Sequence, residues 1–378
     1  MFPMTPASQQ SSAQWNRHLL IRLLQQHGAL SQRQIASLTD IGGSTLSNLV
    51  RDLLDRQILR TGGKHDSGKV GPKQVLLEIN PQLGHVIGID LHQHTMHLVV
   101  RNMAGGLIDM WDEPFSGKLD DLPSQLTRVL DSRPALTDSR LGPRLSLALG
   151  VPGVVDVASG VILHSVLFDV QDYPLCRKLQ EALDIPYIQV DHNANFAALA
   201  EAREGAARGM EQFILFLINP DIIPARARYM TFGAAIYLGD KVHRGIHFAA
   251  GELDSQLAPP LPALTNHNEL EVLYRLDEPI SPFLADLADR IGRMVGSLAN
   301  LLDPQAVVVS GGRSIVNSQF IEHMRERVSK ALLPVPRRRT EIPISTLGAQ
   351  AVARGAALSA ADTVLLEQGV VGVTAASA

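Results

Sequence analysis

The sequence predicts an α/β protein in two parts, a small mainly helical unit over residues 1–80 and a larger α/β body over residues 81–378. Length is the first observation, because 378 residues exceed one typical domain. The second is Asn80–Gly84, a turn that we expect to be a domain boundary, because the strands of a new sheet follow it. The third is the order of the body, where two successive blocks of three strands are each followed by helices.

Composition bounds the class of protein. Apolar residues make up 45% of the chain and charged residues 19%, so each part can bury a core. The single cysteine, Cys176, excludes an internal disulfide and a cysteine-based zinc site, and we expect it to be a buried structural thiol. The sequence lacks an apolar run of membrane-spanning length. We therefore expect no membrane association and, as the default, a cytoplasmic location.

The amino-terminal unit is predicted to open with a flexible lead at residues 1–13 and a helix at Trp15–His27, with Trp15 on its apolar side. A pair of short helices follows over Ser31–Arg56. Ser31 and Gln34 form a capping-box pattern, and a glycine-containing turn separates the two helices. Ser44 is expected to cap the second helix, whose leucines recur at helical spacing.

Polar groups line the other face of that second helix. They are short hydrogen-bonding groups and one cation, which a recognition helix presents to base edges and phosphates in a DNA major groove. The expected DNA contacts are Ser44, Thr45, Ser47, Asn48 and Arg51. On this stretch alone two alternatives stay open, a helical hairpin in an ordinary core and, for Arg51, a surface ion pair with Asp55.

A basic hairpin follows the helix pair. Strands are predicted at Ile58–Thr61 and Val75–Ile79, and the glycine-rich loop between them carries Lys64, Lys69 and Lys73. This is the element order of a winged helix-turn-helix, whose wing lies along the phosphate backbone or enters the minor groove. Nine Lys or Arg against five Asp or Glu give residues 1–80 a formal charge of +4 and leave −8 on the remainder. Double-stranded DNA is therefore the expected partner of this unit.

The body is predicted to begin at the strand His85–Asp90 and to close with an alanine-rich helix at Ala349–Leu365. Leu145–Val151 is a continuous apolar run of the kind buried in a mixed sheet, and it leads into the tight loop Pro152–Asp156. The other predicted strands are His97–Arg101, Leu107–Trp111, Tyr187–Val190, Phe213–Ile218, Tyr229–Leu238, Lys241–Arg244, Ala306–Val309 and Pro343–Thr346.

Four short motifs follow one another along the body. In sequence order they are LGVPGVVD at Leu149–Asp156, NANFAALAE at Asn193–Glu201, Arg244-Gly245 leading to Ala250-Gly251-Glu252, and VVVSGG at Val307–Gly312. With the amino-terminal unit, they resemble the ROK family, which groups repressors, open reading frames and kinases, and in particular its repressor branch. The resemblance covers roughly residues 15–365. It implies an actin-like, ribonuclease-H-like body whose two lobes, about 81–198 plus the carboxy-terminal helix and about 199–345, enclose a sugar cleft.

The motifs for kinase chemistry depart from the family pattern. The D-x-G-G-T loop that approaches ATP phosphates matches Asp90-Leu91-His92-Gln93-His94, which lacks the glycines. A second phosphate loop, G-T-G, falls on Tyr229-Met230-Thr231. The catalytic Asp of N-D-x-N becomes Asn193, an amide that cannot accept a hydroxyl proton. We therefore expect no catalytic residue and no kinase activity, although His192 stands beside Asn193 as an alternative base.

The zinc motif of the family is also changed. Its E-x-G-H run falls on Glu252–Ser255, so Ser255 replaces the histidine ligand, and its three cysteines fall on Pro262, Leu264 and Glu269. No zinc ligand set remains, so no metal and no cofactor are expected.

The cleft that the resemblance implies keeps groups that suit a polyol. Carboxylates at Glu252 and Glu271 can accept hydroxyl hydrogen bonds, and the amide of Asn193 can donate and accept. The expected ligand-binding residues are Pro152, Gly153, His192, Asn193, Glu252, Ser255 and Glu271. The alternative is that these groups are relics, satisfied by one another and by water.

The sequence thus predicts a DNA-binding transcriptional regulator, a repressor of carbohydrate-utilisation genes. A sugar or phosphosugar effector would re-space the recognition helices of a homodimer, or of a dimer of dimers, on the operator. Two alternatives stay open, a sugar kinase with an appended helical domain and a constitutive DNA-binding protein with a dead sugar cleft.

Overall fold

A computed structural model describes residues 9–65, 74–219, 231–253, 282–311, 318–335 and 339–367. Within these ranges the chain forms a small amino-terminal unit and two larger mixed sheets, each covered by helices. Among the helices so described, none is both long enough and apolar enough to cross a membrane.

The amino-terminal unit combines three helices with a small antiparallel sheet in which β3 is central. Leu20, Ile35 and Leu46 are among the fully buried apolar side chains of its core. The predicted capping box is confirmed: Gln34 N donates to Ser31 Oγ at 3.3 Å, and Ser31 N donates to Gln34 Oε1 at 2.8 Å. The elements are α1 (Gln9–His27), β1 (Leu30–Ser31), α2 (Gln32–Leu38), α3 (Gly43–Asp55), β2 (Leu59–His65) and β3 (Gln74–Ile79).

Three predictions for this unit are wrong. Helix α1 begins at Gln9, inside the predicted flexible lead. Trp15, expected on the apolar side of α1, is 68% exposed. In the described part of this helix, the first buried residue is Leu20. Ser44 does not cap α3: the helix starts one residue earlier, and Leu46 N donates to the carbonyl of the N-cap residue Gly42 at 2.9 Å. The glycine turn lets the chain enter the helix without a side-chain cap.

The first large sheet has the strand order β11-β7-β4-β5-β6. β4, β5 and β6 form an antiparallel meander, whereas β7 and β11 run parallel to β4. Every residue of β4 is buried, as expected for a strand covered on both faces. The elements of this layer are β4 (His85–Leu91), β5 (Thr95–Asn102), β6 (Leu107–Pro114), α4 (Leu122–Ser132), β7 (Arg144–Val151), α5 (Leu175–Ala182) and β11 (Tyr187–His192).

A small three-stranded sheet connects β7 to α5. It contains β8 (Val154–Asp156), β9 (Val161–Ser165) and β10 (Val170–Tyr173), paired antiparallel. The predicted buried thiol is confirmed on α5, where Cys176 Sγ donates to the carbonyl of Ile188 at 3.2 Å. Burial raises the pKa of this thiol, so it is a packing group rather than a nucleophile.

The second large sheet has the strand order β14-β13-β12-β15, with β15 parallel to β12. One face packs on α7 and α8, and the other on α6, which therefore lies between the two sheets. The strand predicted at Pro343–Thr346 is reduced to an isolated bridge between Ile344 and Val309. The elements are α6 (Asn193–Glu204), β12 (Gln212–Asn219), β13 (Thr231–Leu238), β14 (Lys241–His243), α7 (Pro282–Leu302), β15 (Ala306–Gly311) and α8 (Ser318–Ala331).

The carboxy-terminal helix α9 (Ala351–Asp362) returns to the first sheet and continues into a π-helical turn, Thr363–Glu367. Two glycines set how closely it packs. A Cβ on Gly88 of β4 would lie 2.0 Å from the carbonyl oxygen of Ala353, and one on Gly355 would lie 1.7 Å from that of Phe196 on α6. Helix α9 is therefore in backbone contact with both the sheet and α6.

Helix α1 docks on the end of α9. Arg22 Nη1 donates to both carboxylate oxygens of Asp362, at 2.8 and 2.7 Å, and Gln25 Nε2 donates to Asp362 Oδ1 at 3.0 Å. His18 Nε2 lies 2.7 Å from the carbonyl oxygen of Leu366. The amino-terminal unit is thus attached to the carboxy-terminal helix of the body by partly buried polar contacts.

Candidate ligand pocket and nucleic-acid interface

The pocket residues predicted from sequence meet where parallel strands end. β11 ends at His192 and α6 begins at Asn193, so both side chains lie at the carboxyl edge of the first sheet. The parallel register pairs His192 with Val151, the last residue of β7. Pro152 and Gly153 follow directly, and they therefore lie beside the start of α6. This edge is where open α/β sheets bind ligands.

Asn193 carries an unsatisfied hydrogen-bond donor. The residue is 1% exposed, and its Oδ1 accepts from Ala194 N at 2.8 Å. Its Nδ2 is buried and has no hydrogen-bond partner in the part of the chain that the structure describes. A buried donor without an acceptor is costly, so this amide is suited to a ligand oxygen.

His192 faces the second sheet. Its Nε2 lies 3.8 Å from Glu252 Oε1, and the ring is largely buried whereas Glu252 is 38% exposed at its side chain. A Cβ on Gly233 of β13 would lie 3.0 Å from His192 Cε1, so the absence of a side chain there lets the imidazole approach the strand. His192 and Asn193 from one sheet and Glu252 beside the other therefore converge.

Asp191 is a buried carboxylate that the sequence did not single out. Arg244 donates to its Oδ2 from Nε at 3.0 Å and from Nη2 at 2.7 Å. Its Oδ1 accepts from His192 N at 2.7 Å and from Asn195 Nδ2 at 2.8 Å. These four bonds tie the second sheet to the start of α6, and they leave Asp191 poorly placed to act as a base.

The turn at Pro152–Gly153 requires glycine. Gly153 has φ +134°, and a Cβ there would lie 2.4 Å from the carbonyl oxygen of His164 on β9. Ser165 Oγ donates to the carbonyl of Pro152 at 2.7 Å, which fixes the loop against the small sheet. The predicted pocket residues Ser255 and Glu271 lie outside the described residues.

The polar face of α3 is open to solvent. Leu46, Val50 and Leu53 of this helix are buried. The five predicted DNA contacts, Ser44, Thr45, Ser47, Asn48 and Arg51, are all exposed. Gln32 of α2 donates from Nε2 to Ser47 Oγ at 2.8 Å, so α2 helps to orient this face. Lys64 lies near the end of β2, and Lys69 and Lys73 fall outside the described residues.

Comparison with known proteins identifies the body. The model of the ROK family matches residues 86–261 and 260–363, more than half of the chain. The chain belongs to the ROK family. The resemblance predicted from sequence is therefore confirmed.

ROK relatives that match nearly the whole chain carry the names of repressors. The xylose repressor of Caldicellulosiruptor bescii is 24% identical, over 90% of this chain and 94% of the relative. The DNA-binding transcriptional repressor Mlc of Escherichia coli is 20% identical, over 91% of this chain and 92% of the relative. Relatives of this kind thus share both parts of the chain.

Two matching solved structures differ in how much of this chain they cover. A ROK family transcriptional regulator, described as a homologue of E. coli Mlc, covers 94% of this chain and 98% of its own, with TM-score 0.72 and 18% identity. A ROK glucokinase from Streptomyces griseus covers 73% of this chain and 99% of its own, with TM-score 0.60 and 19% identity. The glucokinase covers about a fifth less of this chain than the regulator does, and residues 1–80 make up about a fifth of the chain. Both show the α/β fold of the body.

The run that the ROK resemblance matches to a nucleotide loop, Asp90–His94, forms a tight hairpin. β4 ends at Leu91 and β5 begins at Thr95, and His92 N donates to the carbonyl of Thr95 at 2.9 Å. His92 Nε2 lies 2.9 Å from Asp90 Oδ2, so the imidazole contacts the aspartate of this run. Of the second loop, Tyr229 and Met230 fall outside the described residues.

The zinc site that the ROK resemblance implies does not fit this chain. Its donors would come from Ser255, Pro262, Leu264 and Glu269, a set without thiolate or imidazole. These positions lie outside the described residues, and we assign no role to zinc there.

Proposed function

We propose that this ROK protein is a cytoplasmic, DNA-binding transcriptional repressor of carbohydrate-utilisation genes, controlled by a sugar or phosphosugar. In this proposal residues 1–80 form a winged helix-turn-helix and residues 81–378 form the sensor. The protein would act as a homodimer or a dimer of dimers, with one recognition helix in each operator half-site. The observation that carries the proposal is the exposed polar face of α3.

The chemistry of α3 supports DNA recognition. Leu46, Val50 and Leu53 anchor the helix, so its outer face has a fixed orientation. Asn48 can bond bidentately to an adenine edge, and Arg51 can bind guanine or a phosphate. The exposed amino end of α3 adds backbone N–H groups that favour a phosphate.

The pocket chemistry supports a hydroxylated ligand. Asn193 Nδ2 supplies a donor without a partner, and Glu252 supplies an acceptor that is still partly exposed. Adjacent hydroxyls of a sugar present both kinds of group within one small ligand, so a donor and an acceptor at one site favour this class. Ser255, Glu271 and the Pro152–Gly153 turn complete the proposed site.

A short chain of contacts supports coupling between pocket and DNA. Helix α6 starts at the pocket with Asn193, and near its other end Arg203 Nη2 lies 3.7 Å from Asp362 Oδ2. The same carboxylate binds Arg22 of α1. A ligand that favours one position of α6 therefore acts on a group that holds the amino-terminal unit.

The kinase alternative lacks a free carboxylate base at the start of α6. The amide of Asn193 cannot accept a proton, and Asp191 is bound by Arg244. We therefore propose that the body performs no phosphoryl transfer. Incubation of the full chain with Mg-ATP and a panel of hexoses tests this point, and turnover at an ordinary kinase rate would contradict it.

DNA binding is tested by selecting sequences from genomic DNA with the full chain and measuring the affinity by fluorescence anisotropy. We expect Arg51→Ala to weaken specific binding about tenfold or more, because one base or phosphate contact contributes about 1–3 kcal/mol. Arg140→Ala is the matched control, since Arg140 is an exposed arginine of the body, paired with Asp138. Equal losses in the two variants would contradict α3 as the recognition helix.

A further inference from the structure

A cluster of possible metal ligands lies at the β4–β5 hairpin. One ligand atom each from Asp90, His92 and His97 lies within 4.8 Å of the other two. The sheet register produces this arrangement, because Asp90 on β4 pairs with His97 on β5, and His97 pairs with Asp112 on β6. His92 is two residues beyond Asp90, where the chain turns back. The sequence alone predicts no metal ligands here, because these side chains come together only when the strands pair.

The two imidazoles are oriented by carboxylates. His92 Nε2 lies 2.9 Å from Asp90 Oδ2, and His97 Nδ1 lies 2.6 Å from Asp112 Oδ1. The ring centroids of His92 and His97 are 5.2 Å apart, at an interplanar angle of 76°. Because Asp112 holds Nδ1 of His97, Nε2 is the ring nitrogen left for a ligand. A carboxylate that orients a histidine through its other nitrogen is the usual outer partner of a metal-bound imidazole.

Asp90 provides a second, independent observation. The residue is 2% exposed, and its Oδ1 is buried with no hydrogen-bond partner among the described residues. A buried carboxylate oxygen without a donor is unfavourable, whereas a bound cation would satisfy it. The histidines are less enclosed, with side-chain exposures of 16% for His92 and 21% for His97, which leaves an entry path for an ion.

We propose that Asp90, His92 and His97 bind one divalent transition-metal ion of the zinc class, with Asp112 orienting His97. Two imidazole nitrogens favour such an ion over Mg²⁺ or Ca²⁺, which prefer oxygen ligands. The ion takes the place of the proton between His92 Nε2 and Asp90 Oδ2, so both atoms become ligands. In a neutral imidazole that proton moves to His92 Nδ1, whereas an imidazolium releases it to water. Bond lengths of about 2.0–2.2 Å require only small side-chain movements from the present separations.

The fourth coordination position remains for water or for an oxygen of another ligand, since the cluster supplies three protein ligands. The site belongs to the first sheet alone. It shares no residue with the cysteine and histidine positions that the ROK resemblance assigns to zinc. Binding would cross-link β4 and β5, so it stabilises the folded state in proportion to the occupancy of the site.

The test uses the full chain without an affinity tag, treated with EDTA and then dialysed. Titration with Zn²⁺ by calorimetry measures affinity and stoichiometry, and Co²⁺ gives visible absorption bands whose intensity reports coordination geometry. The variants are His92→Gln and His97→Gln, with Asp112→Asn for the outer partner. His94→Gln is the matched control, because His94 is an exposed histidine of the same hairpin that is absent from the cluster.

We expect one Zn²⁺ per chain, an increase in the melting temperature with Zn²⁺, and intense Co²⁺ bands from a four-coordinate site. His92→Gln and His97→Gln should each weaken binding at least 100-fold, Asp112→Asn should weaken it about 10–100-fold, and His94→Gln should leave it unchanged. Circular dichroism of each variant, with Zn²⁺ absent, verifies the fold. For a variant that does not fold, the Co²⁺ spectrum of the unaltered protein still decides whether nitrogen ligands hold the ion.

Three results would overturn the proposal. The first is no Zn²⁺ or Co²⁺ binding by the unaltered protein. The second is binding that survives both histidine substitutions, which would show only adventitious surface sites. The third is an equal loss in His94→Gln and His97→Gln.

Discussion

Asp362→Asn is predicted to loosen the amino-terminal unit while the body stays folded. Asp362 accepts two hydrogen bonds from Arg22 and one from Gln25, and it lies 3.7 Å from Arg203. Its side chain is 15% exposed and that of Arg22 is 26% exposed, so solvent screens the pair only in part. Hydrogen bonds to charged groups contribute about 1.5–3 kcal/mol. Allowing for the remaining exposure, we expect a loss of about 2 kcal/mol.

Hydrogen exchange of the α1 amides measures this loss directly. A decrease of about 2 kcal/mol in the free energy of local opening accelerates exchange about 30-fold, at 1.36 kcal/mol per factor of ten. The matched control is Asp52→Asn, which breaks the exposed Asp52–Arg56 pair of α3, where side-chain exposures are 52% and 43%. That pair should contribute less than about 1 kcal/mol.

A double-mutant cycle between Asp362→Asn and Arg22→Met isolates the pair itself. The coupling energy should be about 1–2 kcal/mol, since both partners are largely buried. Exchange of α1 that is no faster in Asp362→Asn than in Asp52→Asn would refute the docking of α1 through this carboxylate.

Three further predictions address the body and the DNA contacts. Burial raises the pKa of Glu204, but hydrogen bonds and charge from Arg101 outweigh it and hold the pKa below its usual value. Its contribution to stability is therefore fully present above pH about 4.5 and is lost as the pH falls through the lowered pKa. In urea unfolding, the difference between the unaltered protein and Glu204→Gln should shrink below that pH, and a difference independent of pH would contradict this. Gly355→Ala should lower stability by more than about 3 kcal/mol in the same assay, because its Cβ meets the backbone of Phe196, whereas Gly43→Ala has open space and should be tolerated. Arg51→Ala should reduce the salt dependence of DNA binding by about one phosphate contact, and an unchanged slope would place Arg51 on a base edge instead.

The local patterns of the sequence were sufficient for much of the fold. The Ser31–Gln34 capping box and the buried Cys176 depend on neighbours in the chain, and the structure confirms both. The ROK resemblance rested on phrases spread over the body, and the family model confirms it. Ser44 failed as a cap because the choice between it and Gly42 depends on how the chain leaves the turn.

The spacing of residues along the sequence does not predict the contacts that matter most for the site. Arg22 and Asp362 are 340 positions apart, and either residue alone looks like an ordinary surface charge. Asp191 is two residues before Asn193 in the sequence, yet only the fold shows that Arg244 binds it. The His97–Asp112 contact depends on strand register, which hydrophobic alternation alone leaves open.

We propose that a sugar at the start of α6 controls DNA binding by the amino-terminal unit. The most direct measurement is the Kd of the full chain for its selected DNA, with and without each of xylose, glucose, N-acetylglucosamine and their phosphates. We predict that at least one of these changes the Kd at least tenfold, and that Asn193→Ala abolishes this change while binding DNA normally in its absence. A Kd that is the same with every sugar, or a response that Asn193→Ala retains in full, would contradict the claim.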